Sequence, residues 1–323
     1  YLYTSEKIDG PWKKQLIEGF YHDGSLLFDE DGRNYIVYGN DEIWITELNE
    51  DLTAPKKGGL HRLLVSDHKN PELGYEGSHI QKINGYYYIF LVHSLRDRWM
   101  RTEACFYSDS LEGEFTGGDV LCDDRGYCGQ GVAQGGIVDT PDGKWYAMLF
   151  QDFGAVGRIP ILLPVTWKDH FPFFGQNGHV PEEIEVHSTR PGYIYQPLVG
   201  SDDFCNGLLP HWQFNHDPDP RYYHLDALQG TYTITTREVC TELTQAVNTL
   251  TQRMSYPSCA AEVTVDASAL KDGDVAGLCA FQGCYAAVGI TKHHGKYEVL
   301  MLDKKEDGIL DMTEGTVVES HQM

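Results

Sequence analysis

Three stretches of the chain repeat one pattern, and that repeat limits the fold more than any other feature. Residues 29–38 read Asp-Glu-Asp-Gly-Arg-Asn-Tyr-Ile-Val-Tyr, residues 83–90 read Ile-Asn-Gly-Tyr-Tyr-Tyr-Ile-Phe, and residues 139–150 read Asp-Thr-Pro-Asp-Gly-Lys-Trp-Tyr-Ala-Met-Leu-Phe. Each sets a glycine-centred turn before an aromatic, β-rich run, which is a hairpin signal. The turn glycines are Gly32, Gly85 and Gly143, so the hairpins recur at intervals of 53 and 58 residues. A hairpin repeat of about fifty residues points to propeller blades, because each blade is a small antiparallel sheet radiating from a shared axis.

The outer strands of the blades leave a second trace. Thr4-Ser5 followed by Asp9-Gly10-Pro11-Trp12 parallels Tyr107-Ser108 followed by Glu112-Gly113-Glu114-Phe115, two periods on. The chain is thus expected to open on the outer part of one blade and continue through complete blades at about 20–60, 76–120 and 130–175. Closed rings need at least about four blades, so an N-terminally incomplete propeller is expected over residues 1–195.

After residue 180 the texture changes. A Pro/Gly/Asp-rich passage from Val180 to Phe204 reads as a linker. Beyond it come short alternating runs at Thr231–Thr236, Ala260–Val265, Val275–Phe281, Ala286–Thr291 and Tyr297–Leu302, with turn residues between them. That is the pattern of an antiparallel β-sandwich over residues 196–323. Val239–Leu250 reads equally as helix or as strand and loop, given its threonines. The whole is all-β.

Charge narrows the partners. A net charge of −23 opposes binding to nucleic acid or to an anionic membrane surface, and no apolar run approaches the ~18 residues of a membrane span. A neutral ligand meets no such barrier. Aromatics make up 12% of the chain, 20 of them Tyr, which serves both β-propensity and the flat apolar platforms on which sugars stack. The eight cysteines form no Cys-x-x-Cys pair and no zinc-like group. They read as mostly reduced, which leans towards the cytoplasm.

Two carboxylates stand out by context. Asp23 lies in Tyr-His-Asp-Gly-Ser-Leu-Leu-Phe before the first full hairpin, and Glu76 lies in Gly-Tyr-Glu-Gly-Ser-His-Ile before the second. Both precede the innermost strand of a blade, so matching blade positions are expected to bring them to one mouth of the ring. Glycoside hydrolysis needs a protonated acid beside an ionised carboxylate. The plainer readings are an Asx-turn for Asp23 and a surface carboxylate for Glu76.

These segments resemble the signature regions of glycoside hydrolase family 43, whose members are five-bladed propellers acting as β-xylosidases, α-L-arabinofuranosidases and arabinanases. The third repeat, from Gln134-Gly135-Gly136 to Asp152, resembles the next blade. Trp212–Pro218 and Lys271–Leu278 resemble the concanavalin-like (jelly-roll) sandwich of the xylosidase branch. The resemblance implies inverting, exo-acting hydrolysis of xylosides or arabinofuranosides from plant hemicellulose, with a xylo- or arabino-oligosaccharide as partner and no cofactor.

It further implies that Glu76 is the general acid and Asp23 the carboxylate that tunes the acid and orients the sugar. Arg158 matches an arginine that contacts the glycone, or is an ordinary strand-end cation. His79 is read either as support for Glu76 or as a satisfied core histidine. Gln134 stands where many members carry a His that helps hold an axial ion or water, so the reading is no cofactor, with an axial calcium as the disfavoured alternative. Arg158, His79 and Gln134 are the candidate sugar-binding side chains. The family's general base is an Asp in a first blade that this sequence does not contain, and Asp9 belongs to an outer-strand turn, so the chain is expected to be impaired by itself. A non-catalytic carbohydrate-binding protein and a protein-interaction propeller are the alternatives.

Overall fold

The computed structural model describes residues 1–186, 190–240, 242–255, 258–282, 284–305 and 315–323. It is all-β apart from two single 3-10 turns, and the chain divides into two compact units, Tyr1–Ser188 and Thr189–Met323. No helix among the described residues is long and apolar enough to cross a membrane.

The first unit opens with a two-stranded pair, β1 (Leu2–Thr4) and β2 (Lys13–Gln15). Three four-stranded antiparallel sheets follow, each wound in chain order. Blade one holds β3 (Ser25–Phe28), β4 (Asn34–Asn40), β5 (Glu42–Leu48) and β6 (His61–Ser66). It runs past the expected limit near residue 60 because β6 is its fourth strand. Blade two holds β7 (Glu76–Ile83), β8 (Tyr86–Ser94), β9 (Arg101–Ser108) and β10 (Thr116–Leu121). Blade three holds β11 (Ala133–Asp139), β12 (Trp145–Asp152), β13 (Arg158–Lys168) and β14 (Phe171–Phe174). The β7–β8 hairpin turns on Asn84-Gly85, both with positive φ (50° and 84°), as a two-residue type I′ turn requires.

Blade two is sandwiched between its neighbours, and β8 shows how. Its side chains alternate between two cores: Tyr87, Ile89 and Leu91 pack with Tyr35, Val37, Ile43 and Ile45 of blade one, whereas Tyr88 and Phe90 pack with Ile137, Ala147, Leu149 and Phe174 of blade three. A strand buried on both faces has no polar face to show, which is why residues 86–92 read as an unbroken apolar run. Polar ties join the sheets as well. Asp29, buried at the end of the β3–β4 hairpin, accepts hydrogen bonds from Lys82 Nζ (2.7 Å) and Tyr87 Oη (2.5 Å), and Gln81 Nε2 donates to the Ile137 carbonyl (2.8 Å).

In the second unit, Val275–Gln282, Cys284–His293, Lys296–Lys304 and Thr316–Gln322 form one four-stranded antiparallel sheet, and two short pairs precede it (Gln213–Phe214 with Leu250–Thr251, Tyr223–Asp226 with Thr231–Ile234). The expected strand at Ala260–Val265 is absent: the segment is exposed and pairs with no described strand. Alternation by itself does not make a strand without an edge to bond to. Among the described residues of 239–250, a 3-10 turn, Leu243–Gln245, precedes the short strand.

Candidate active site

The three inner strands, β3, β7 and β11, begin alike. Glu76 faces Val92 on β8, and His79 faces Phe90, so three steps on β7 span two on β8. Ala133 and Gly136 stand in the same relation to Phe150 and Met148. In blade one the His22 carbonyl accepts the Gly39 amide (3.0 Å), and Ser25 faces Val37. Each inner strand therefore starts with a one-residue bulge, and in each the second bulge residue is left-handed: Asp23 (φ 46°), Gly77 (φ 65°) and Gln134 (φ 69°). Bulges re-aim the side chains beside them, and here they do so at the shared inner edge.

The register corrects one expectation. Glu76 corresponds to His22, not to Asp23, and Asp23 corresponds to Gly77. The two carboxylates nevertheless converge, because neighbouring blades offer them from adjacent rungs. Donor atoms of His22, Asp23 and Glu76 all lie within 4.8 Å of one another. His22 Nε2 sits between the acids, 3.7 Å from Asp23 Oδ2 and 3.5 Å from Glu76 Oε2. The Ser78 hydroxyl faces the carbonyls of both Asp23 (2.8 Å) and Val37 (2.9 Å), locking the left-handed Asp23 backbone to the strand that bears Glu76. The acids remain accessible, with side-chain exposures of 38% for Asp23 and 22% for Glu76.

Around this pair lies a cationic wall that the sequence reading missed in part. Arg101, buried on β9, donates to Asp152 Oδ2 (2.9 Å) and reaches Gln134 Oε1 (3.5 Å). Burial pulls its guanidinium below the ordinary value, against the opposing charges of Asp152, Glu103 and Glu76. Arg158, the first residue of β13 and largely exposed, bonds the other Asp152 oxygen (3.2 Å). Both guanidiniums stack on Phe150, 4.7 Å and 4.5 Å from its ring centre. Asp152 thus holds two arginines side by side. Arg158 is tied to this wall and makes no described bond to Asp23 or Glu76.

Gln134 lies directly beside the acids: a Cβ on Gly77 would come within 2.7 Å of its side chain. Its backbone N–H donates to Glu103 Oε2 (2.6 Å), and Glu103 is fully buried. Burial drives the Glu103 carboxyl well above the glutamate range, against its hydrogen bond from Gln134 and the charge of Arg101. His79 proves to be no core histidine. The residue is solvent-accessible on β7 with its ring set against Gly136, and the protein packed around it still desolvates the ring enough to lower its pKa, while the charge of Asp23 opposes that. The carboxylate acting on it is Asp23, not Glu76.

Among the described residues, His22, Asp23 and Glu76 are the group spaced closely enough to hold a metal ion. The axial position at Gln134 does not fit one, since its amide oxygen faces the Arg101 guanidinium and a cation there would meet a fixed positive charge. In sequence, His22 was visible within the Asp23 motif, and Arg101 and Glu103 are the only charged residues of β9, two apart.

Comparison with known proteins agrees with this architecture. Residues 1–172 match the model of glycosyl hydrolases family 43, and residues 201–322 match the β-xylosidase C-terminal concanavalin A-like domain. A putative β-xylosidase of Xylanibacter ruminicola is 27% identical over 90% of the chain, and a β-xylosidase of Formosa agariphila is 25% identical over 93%. The chain spans 56% and 60% of those two relatives' lengths. Among solved structures, a bifunctional GH43-CE protein of Bacteroides eggerthii matches 99% of the chain, and 41% of its own, at 38% identity and a TM-score of 0.81. An engineered GH43 glycoside hydrolase, described as having both endo-xylanase and exo-arabinofuranosidase activity, matches 97% of the chain and 60% of its own at 27% identity and a TM-score of 0.76. On its sheet order, its converging carboxylates and these matches, the chain belongs to glycosyl hydrolase family 43, with a concanavalin A-like unit after the propeller-type sheets.

Proposed function

We propose that the chain supplies the acid side of an exo-acting glycosidase site that removes xylose or arabinofuranose from plant hemicellulose with inversion. The observation that carries this reading is the meeting of Asp23 and Glu76 within 4.8 Å at the inner edge of two blades. Relatives named β-xylosidase, xylosidase/arabinosidase and non-reducing end α-L-arabinofuranosidase support the substrate class. In the intact protein the three sheets and the β1–β2 pair belong to a five-bladed ring, with the acids at its hub.

In this reaction Glu76 gives its proton to the glycosidic oxygen as the bond from that oxygen to the anomeric carbon breaks. Water attacks the anomeric carbon from the opposite face and yields its proton to a separate carboxylate base. That base is not Asp23. An inverting pair stands about 6.5–9.5 Å apart to admit the water, whereas Asp23 and Glu76 bring oxygens within 4.8 Å of each other. Asp23 instead orients the sugar and the acid, and the Arg101–Asp152–Arg158 wall with Gln134 faces the hydroxyls of the terminal residue. The proton transfers proposed here call on no metal.

The test is turnover of nitrophenyl β-D-xyloside and α-L-arabinofuranoside by the intact gene product, with the first-released anomer identified by proton NMR. Release of the inverted anomer is expected. Retention of configuration contradicts the inverting assignment, and no turnover of either substrate contradicts the glycosidase reading.

A further inference from the structure

We infer that Asn40 is a positioning residue that fixes which oxygen of Glu76 delivers the proton. The inference rests on the acid role proposed for Glu76 and deepens it. Asn40 is the last residue of β4, in the neighbouring blade, and its Nδ2 donates to Glu76 Oε2 at 2.9 Å. His22 Nε2 approaches the same oxygen at 3.5 Å. Among the described residues no hydrogen bond reaches Oε1.

An amide nitrogen has hydrogens to give and no lone pair to accept with. It therefore pairs with an unprotonated oxygen, and in a neutral carboxyl that oxygen is the carbonyl one. With Oε2 held as acceptor, the acidic hydrogen stands on Oε1, the oxygen left free for a substrate. Without Asn40, the proton divides between two oxygens and the carboxyl rotates, and both reduce the fraction of time in which the acid is aimed at the leaving oxygen.

The backbone makes this contact rigid. The residue after Asn40 and the residue before Glu76 are bonded directly, Asp41 N–H to the Tyr75 carbonyl at 2.9 Å, and the Asp41 carbonyl accepts the Asp67 N–H at 2.8 Å. Asp41 is itself left-handed (φ 62°), which turns the chain tightly between β4 and β5. A Cβ on Gly74 would fall 1.9 Å from Asp41 Oδ1 and 3.0 Å from Asp41 Cα, so Asp41 must shift to admit one. Asn40-Asp41 and Gly74-Tyr75-Glu76 thus form one clasp between blades, and the donor and the acid move together.

The experiment compares Asn40→Ala, Asn40→Asp and Gly74→Ala with Glu76→Gln in the intact gene product, each assayed on a nitrophenyl pentoside and on the matching alkyl pentoside. A good leaving group needs little proton assistance, and an alkoxide needs much. The Asn40 variants are expected to lose about tenfold or more on the alkyl glycoside and less than about threefold on the nitrophenyl one. Gly74→Ala, which keeps the amide but displaces the clasp, is expected to show the same bias. Equal losses on both substrates, or no loss, overturn the proposal. If Glu76→Gln shows the leaving-group bias and the Asn40 variants do not, Asn40 alone fails. If Glu76→Gln shows none, or the unsubstituted protein turns over neither substrate, the acid assignment falls and this inference with it.

Discussion

Gln134 packs into the space that a side chain on Gly77 would need. The two residues hold the same rung in neighbouring blades, each the left-handed member of its bulge. Gly77 is therefore doubly constrained, by a φ of 65° and by a Cβ position 2.7 Å from the Gln134 side chain. Gly77→Ala is expected to cost about 1–3 kcal/mol of stability and to displace Glu76, the preceding residue. Denaturant unfolding and turnover measure the two effects. Unchanged stability with full activity would show that the bulge tolerates a side chain.

Asp152 is expected to govern sugar affinity. Its two oxygens hold Arg101 and Arg158 side by side on Phe150, so Asp152→Asn removes the charge that keeps two guanidiniums together. The expected outcome is a rise in KM of about tenfold with a smaller change in kcat. Arg158→Lys should behave similarly, and the double substitution should fall short of the sum, because both break one cluster. A fall in kcat at constant KM would place the wall in the chemical step instead.

Glu103 offers a pH test of the buried hub. Its folded-state pKa stands above the ordinary glutamate value of 4.5 because of burial. A carboxyl raised in this way contributes its full stability below the unfolded value and loses it as pH climbs towards the folded value. Glu103→Gln removes the titration while keeping an acceptor for the Gln134 N–H. Wild type and variant should have similar Tm values at pH 4, with the variant gaining on the wild type as pH rises towards 8. A gap that shrinks with rising pH would contradict a neutral Glu103.

Removal of metal should leave the reaction intact. The Gln134 amide oxygen already faces the Arg101 guanidinium, and the proposed chemistry needs only proton transfer. Dialysis against EDTA is expected to change kcat by no more than about twofold. A larger loss, restored by a divalent ion, would assign the His22, Asp23 and Glu76 trio a metal role.

How much of this was legible beforehand follows from the physics of each feature. The blades were readable because hairpin turns and strand runs are local: Asn84-Gly85 specifies its own turn, and the doubly buried β8 announces itself as an unbroken apolar run. Asp23 and Glu76 stood out because the same short motif surrounds both. The one-rung offset between them was not legible, since a bulge is set by pairing across strands rather than by either strand's sequence. Asn40 and Arg101 escaped for the same reason: each meets the site through the register of a neighbouring strand, 36 residues from Glu76 in the case of Asn40. Ala260–Val265 misled in the opposite direction, with a strand-like pattern and no described partner to bond to.

The leaving-group dependence of Glu76→Ala tests the central claim most directly. In the intact gene product the variant should lose about 10²–10⁴-fold in kcat on an alkyl pentoside and far less on a nitrophenyl pentoside. Equal losses on the two substrates would contradict Glu76 as the acid that protonates the leaving oxygen.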